Sequence, residues 1–283
     1  MGYLEMLHES ALLHKSILCF GLDPAMEDMP QIEAQNPEEK IVKYFSSIVD
    51  ASLAEQKSIS ALKPNYAYFA QYGFDGLRAL KRLIDAYRGK LPIILDAKRG
   101  DIGKSSDAYA REAFDFWGAD AVTVSPYMGG DSLAPFFARC KAGKGVYVLC
   151  RTSNSGSADF QSHVLDSNRQ LFLEVARKVE KWHQPGMGMV MGANALDEIE
   201  GAIWMFYDTK KALPLLVPGV GAQGASASAT AKTLRDVWSE TFLLHRINSS
   251  SAIAYAHKKE GTDDFVGAAL REISRMNSEI GKV

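Results

Sequence analysis

An α/β fold, a single closed (β/α)8 TIM barrel, is what this chain predicts. Three observations carry it: short apolar runs alternate with longer amphipathic segments, the alternation occurs eight times, and no linker interrupts it over 283 residues. That length supports one large core, so residues 1–283 read as one barrel domain.

The first strand, Ile17 to Asp23, is apolar until its closing carboxylate, and Pro24 stops it before the helix Glu38 to Gln56. The second, Ser60 to Asn65, ends on Lys63-Pro64-Asn65 and precedes the helix Phe74 to Tyr87. Pro92 to Lys98 and the helix Ser105 to Trp117 form the third unit, and Ala121 to Pro126 with Asp131 to Cys140 the fourth. The fifth strand, Gly145 to Ser153, leads to the helix Asp166 to Trp182; the sixth, Gly188 to Asn194, leads to Leu196 to Tyr207. Leu215 to Gly221 with Ala225 to Ser239, then Thr241 to Ile247 with Asp264 to Glu279, complete the set. The competing architecture, an open doubly wound sheet, lacks its fingerprint after the first strand, where it belongs. Gly219-Val220-Gly221-Ala222-Gln223-Gly224 has the G-x-G-x-x-G spacing but follows the seventh strand, not the first.

In such barrels chemistry sits at the carboxyl ends of the strands, and these ends are polar. Strand one ends on Asp23, two on Lys63 and Asn65, three on Asp96 and Lys98, five on Thr152 and Ser153, six on Asn194, and seven leads to Gln223. Asp96-Ala97-Lys98-Arg99-Gly100-Asp101-Ile102 is the most informative stretch. Strand alternation puts Asp96 and Lys98 on the face of Ile94, and Gly100 frees the backbone to turn before Asp101. Unit charges about 4 Å apart interact by roughly 4 kcal/mol at an effective dielectric near 20, so this cluster needs partners or a ligand. Taken singly, each residue has a structural explanation. Asp23 and Asn194 suit helix caps, the latter for Leu196 to Tyr207, and Lys63 suits a snorkelling strand end.

Composition excludes several functions. A net charge of −2, with no basic run interleaved with aromatics, leaves no footprint for nucleic acid. The segment Met1 to Ser10 lacks a basic region followed by an apolar run, so the chain reads as cytoplasmic and without membrane association. Three cysteines, two of them in apolar strand runs, read as small hydrophobes, and the six histidines show no metal-ligand spacing. Asn248-Ser249-Ser250 and Arg99-Gly100-Asp101 match a glycosylation acceptor and an adhesion tripeptide, both discounted for a cytoplasmic chain. Tyr66, Tyr68, Phe69 and Tyr72 read as packing the barrel against a partner.

With these residues in hand, the chain resembles the orotidine 5'-phosphate decarboxylase family over nearly its whole length, in the branch with Thr-Ser-Asn after the fifth strand. The resemblance rests on Phe20-Gly21-Leu22-Asp23-Pro24, Lys63-Pro64-Asn65, Asp96 to Ile102, Ser125-Pro126-Tyr127, Cys150-Arg151-Thr152-Ser153-Asn154 and Val217 to Gly224. It implies decarboxylation of orotidine 5'-monophosphate to UMP in pyrimidine synthesis, with no metal and no organic cofactor. It further implies Lys98 as electrostatic stabiliser and proton donor, with Asp96 beside the substrate carboxylate. Lys63, Asp96 and Lys98 would join Asp101 of a neighbouring copy, giving a homodimer with shared sites. By the same resemblance Asp23 and Asn65 contact ribose hydroxyls, Ile102 and Ser105 cross the interface, and Thr152 and Ser153 bond the pyrimidine edge. Pro218, Gln223, Ser250 and Ser251 complete the substrate-binding set, Gln223 opening a small-residue lid, Gly224 to Ala229.

One departure stands out. After the eighth strand the family carries Asn-Ser-Ser-Arg, whereas this chain has Asn248-Ser249-Ser250-Ser251. A charge-assisted hydrogen bond is worth roughly 1.5 to 3 kcal/mol, so a hydroxyl there weakens the grip on phosphate. Arg246, backbone N–H groups of Ser250 to Ala252 at a helix start, or a cation from another loop are the available substitutes. Two rival functions share parts of the pattern: a magnesium-dependent sugar-phosphate decarboxylase or aldolase of the same superfamily, and a nucleotide-binding barrel with little turnover.

Overall fold

The computed structural model describes residues 1–56, 58–221 and 224–281. Eight parallel strands run β1 (Leu18–Leu22), β2 (Ala61–Pro64), β3 (Ile94–Arg99), β4 (Ala121–Val124), β5 (Gly145–Arg151), β6 (Met187–Met191), β7 (Leu215–Pro218) and β8 (Arg246–Ser249). They are ordered β2-β1-β8-β7-β6-β5-β4-β3, so each strand lies beside its predecessor and β8 returns to β1. The two ends of that order, β2 and β3, are joined along the backbone by the isolated bridges Leu62–Ile93 and Asn65–Asp96. The result is a nearly closed barrel with helices between its strands, as the alternation predicts.

Strand alternation divides the side chains into shells. Cys19, Ala61, Ile94, Ala121, Tyr147, Val190 and Leu216 form one buried cluster in the lumen, while Phe20, Leu62, Leu95, Val122 and Val217 pack outward under the helices. Two residues further along each strand the lumen layer becomes Gly21, Lys63, Asp96, Thr123, Leu149, Pro218 and Asn248, and its chemistry changes from apolar to polar. The barrel mouth is built from that second layer.

Two departures from the sequence reading matter. The apolar run from Thr241 reads as the start of the last strand, yet Ser239–Leu244 is a short 3-10 helix and the strand begins at Arg246. The helix Tyr3–His14 was not anticipated; its Tyr3 and Leu7 insert into the lumen cluster and plug the amino end of the barrel. Arg246, pointing inward on β8, is buried against that plug. It donates to the carbonyl oxygens of Leu7 at 2.5 Å, His245 at 2.7 Å and Leu243 at 3.0 Å. It therefore belongs to the floor, at the end opposite the polar rim, and is withdrawn as a phosphate partner. Among the described residues no helix is long and apolar enough to cross a membrane.

Candidate active site

The polar layer opens into a cavity of about 550 Å³, within the range of small-molecule sites. At its floor Asp96 is clamped between two ammonium groups. Lys63 Nζ donates to Oδ2 at 2.9 Å and Lys98 Nζ to Oδ1 at 2.7 Å. Thr123 Oγ1 also donates to Oδ1 at 2.8 Å and accepts the Lys98 backbone N–H at 3.0 Å. Lys63 and Asp96 are 4% and 7% exposed, so neither is solvated enough to stand alone. Burial pushes the Asp96 carboxyl up, but Lys63 and then Lys98 outweigh it and hold the group well below the usual carboxylate range. For Lys63 burial likewise disfavours charge, and Asp96 followed by Asp23 reverses it, keeping the ammonium protonated. The three charges sum to a net positive cluster facing the cavity.

The backbone beneath is irregular. β3 pairs Leu95 with Val122 and then Arg99 with Val124, so Asp96, Ala97 and Lys98 lie opposite Thr123 alone. Lys98 adopts φ 46°, a left-handed conformation that residues with a side chain avoid. That bulge keeps Lys98 in the lumen beside Asp96.

Around this floor the cavity is lined by Asp23, Asn65, Thr152, Ser153, Pro218, Ser250 and Ser251. Asp23 Oδ1 is buried without a hydrogen-bond partner. Asn65 caps the helix Tyr66–Ala70 by accepting the Ala67 N–H. The polar end near Ser250 is close-packed. A Cβ on Gly21 would lie 1.8 Å from Ser250 Oγ, so only glycine lets β1 approach that loop.

Asp101, Ile102 and Ser105 do not line the cavity of their own chain. The Asp101 carboxylate accepts the Ile102 N–H, and Ile102 is 61% exposed. Gln223 lies outside the described residues, as does Ala222. Asn194 does not cap Leu196–Asp208, whose cap is Ala195; its side chain donates to Ser153 O at 3.1 Å, tying β6 to the β5 loop. Within the chain the aromatic group does not form one patch. Phe69 is buried, Tyr72 Oη accepts the Met26 N–H, Tyr66 packs on Arg99, and Tyr68 lines the cavity.

Besides Thr123 and Tyr68, three further contributors escaped the sequence reading. Asn248 lines the cavity with its buried Oδ1 unpartnered; its signal was the inward register two residues beyond Arg246 on β8. Asn154 lines the cavity beyond Ser153 and accepts from Thr152 Oγ1 at 2.7 Å. Gln161 pins Thr152, accepting its N–H and donating to its Oγ1, both at 2.9 Å. It lies in a loop, and nothing in its sequence context points to that contact. Lys63 and Lys98 are the only cationic side chains among the described lining residues, and both engage Asp96. Among the described residues, no group of three or more His, Cys, Asp or Glu side chains could hold a metal ion.

Comparison with known proteins agrees with this geometry. A family model described as orotidine 5'-phosphate decarboxylase / HUMPS family matches residues 16–258. An orotidine 5'-phosphate decarboxylase of Verminephrobacter eiseniae is 40% identical over 98% of this chain and 97% of its own length. Its counterpart from Aromatoleum aromaticum is 43% identical over 96% and 95%. Among solved structures, Leishmania donovani OMP decarboxylase superposes with a TM-score of 0.75 at 31% identity, covering 99% of both chains. The chain spans 57% of L. donovani UMP synthase, with a TM-score of 0.76 at 34% identity over 99% of this chain. The chain belongs to the orotidine 5'-phosphate decarboxylase / HUMPS family.

Proposed function

We propose that this protein is a carboxy-lyase that converts orotidine 5'-monophosphate to UMP and carbon dioxide. The observation that carries the reading is the clamp of Asp96 between Lys63 and Lys98 at the floor of a nucleotide-sized cavity. The C6–carboxylate bond breaks, its electron pair stays on C6, and the Lys98 ammonium next to it stabilises that charge electrostatically. Lys98 Nζ then gives C6 a proton and recovers one from water, so charge and atoms balance. Asp96 orients Lys98 and faces the departing carboxylate, while Lys63 keeps Asp96 ionised. Stabilisation and proton supply both fall to Lys98, and the reading invokes no metal or organic cofactor.

Asp23 and Asn65 suit the ribose hydroxyls, since the orphaned Asp23 Oδ1 awaits a donor. Thr152 and Ser153 suit the pyrimidine edge, with Pro218 against the ring. Ser250 and Ser251 hydroxyls and backbone N–H groups suit the phosphate, which here meets no free cation among the described lining residues. Asp101, Ile102 and Ser105, turned away from their own cavity, suit the cavity of a second copy in a homodimer. We read residues 1–283 as one barrel unit working in the cytoplasm, a reading supported by three buried, unpaired cysteines. Loss of orotidine monophosphate absorbance on adding the protein tests the proposal. No turnover at saturating substrate, with UMP still bound, would replace it with a nucleotide-binding barrel, the alternative that Ser251 favours.

A further inference from the structure

Arg99 directly follows Lys98 but leaves the lumen. Its guanidinium grips Glu112 bidentately, Nε to Oε2 at 3.0 Å and Nη2 to Oε1 at 2.6 Å. It lies 4.4 Å from the centre of the Tyr66 ring and 4.7 Å from that of Tyr109. Trp117 Nε1 fixes the same carboxylate with a bond to Oε1 at 3.0 Å. Glu112 and Trp117 are brought together by a π-helical turn, Glu112–Phe116, in which the Trp117 N–H reaches the Glu112 carbonyl at 2.9 Å. Such turns are uncommon and cluster at working sites.

Arg99 is also where β3 regains its register. It pairs with Val124, and its carbonyl accepts the Ser125 N–H at 2.8 Å. Left-handed backbone at a lysine persists only where its surroundings over-determine it. Among the described residues, the other non-glycine positions with positive φ, Lys15, Asn168 and Lys210, lie in turns or bends, and Lys98 alone lies within a strand. On its upstream side Lys98 is held by Thr123, and on its downstream side by the Arg99 clamp. Tyr66, in turn, directly follows Asn65, so the same guanidinium braces both segments that deliver the charge cluster.

We propose that Arg99 is a positioning residue for Lys98. By locking the end of the β3 bulge to Glu112, Tyr66 and Tyr109, it holds the Lys98 backbone in its left-handed conformation and so keeps Nζ against Asp96. Its bearing on turnover rests on the proposed function; its bearing on geometry does not. A planar fork between two rings and a carboxylate cannot be replaced by a point charge.

The test is a crystal structure of Arg99→Leu together with its kinetics. Lys98 is expected to leave the left-handed region, with Nζ more than about 4 Å from Asp96 Oδ1, beyond ion-pair range. Turnover should fall by about 10² in kcat, because small misplacements of a reacting group are costly. The Kd for UMP should stay within about twofold, and Arg99→Lys should recover only part of kcat. A general packing role would instead weaken UMP binding and kcat together. Should Arg99→Leu not fold, Glu112→Gln, which keeps the shape and one acceptor, is measured in the same way. Lys98 retaining its φ and its contact with Asp96 in the variant would overturn the proposal. Failure of the native chain to consume orotidine monophosphate would overturn the proposed function instead, and the variant's geometry would still decide the role of Arg99.

Discussion

Lys63 near the carboxyl end of the barrel and Arg246 near its amino end are both buried cations, held in opposite ways. Lys63 faces a carboxylate that it shares with Lys98 beneath an open cavity. Arg246 donates to three carbonyl oxygens beneath a sealing helix. Burial lowers the pKa of that guanidinium, opposed by Tyr147, Tyr3 and Cys19, whereas at the rim Asp96 and Asp23 overcome the burial of Lys63. Carbonyl oxygens satisfy donors without neutralising charge, and they suit a permanent plug. A carboxylate shared by two ammonium groups leaves excess charge pointed at a ligand. The chemistry of the acceptor, more than burial, separates scaffold from working site.

The largest effect expected is at the open end. Lys98→Ala should lower kcat by roughly 10⁴-fold, the scale of a lost proton donor and charge stabiliser, while UMP still binds. Steady-state assay with calorimetric UMP titration checks this, and near-native kcat would remove Lys98 from the mechanism. At the closed end the pattern should invert. Arg246→Met removes three charge-assisted hydrogen bonds to buried carbonyl oxygens and should cost about 3 kcal/mol in denaturant unfolding, with kcat changed by less than about twofold. A collapse of kcat at unchanged stability would erase the distinction between the two cations.

Ser251→Arg adds a cation where the cavity has none to spare. The KM should fall about tenfold and become more sensitive to salt, as a charge-assisted phosphate contact requires. A flat or raised KM would mean that another group already holds the phosphate. The smallest effect concerns acid stability. An unfolded aspartate titrates near ~3.9, and Asp96 in the folded chain titrates lower. Below that pH the unfolded state takes up a proton that the folded state refuses, so the stabilisation is present above it and lost as pH falls. Asp96→Asn should flatten this acid limb in unfolding curves recorded from pH 6 down to about pH 3. An unchanged limb would show that the cluster contributes no such linkage.

Most of the architecture was legible because apolar runs and amphipathic stretches alternate without interruption. The last strand was not, because Phe242, Leu243 and Leu244 look like strand but turn as a 3-10 helix under the barrel. The true strand, Arg246-Ile247-Asn248-Ser249, has the composition of a loop. Misplacing it hid both the inward face of Asn248 and the downward direction of Arg246. Lys63 and Asp96 could be read because they lie on strand ends with a fixed alternation, whereas Lys98 keeps its expected side through the β3 bulge, which the sequence does not announce. Gln161 and the Arg99–Glu112 clamp depend on a loop path and a π-helical turn, and Tyr68 on a one-turn helix, which no local pattern encodes.

The seam between β2 and β3 carries a further consequence. Its few backbone bridges are supplemented by the Lys63–Asp96 ion pair, so the same carboxylate that orients the proton donor also stitches the hoop shut. A change at Asp96 therefore frays the cylinder and disarms it in one stroke. An inactive Asp96 variant cannot be credited to lost chemistry until its staves are seen to be still joined.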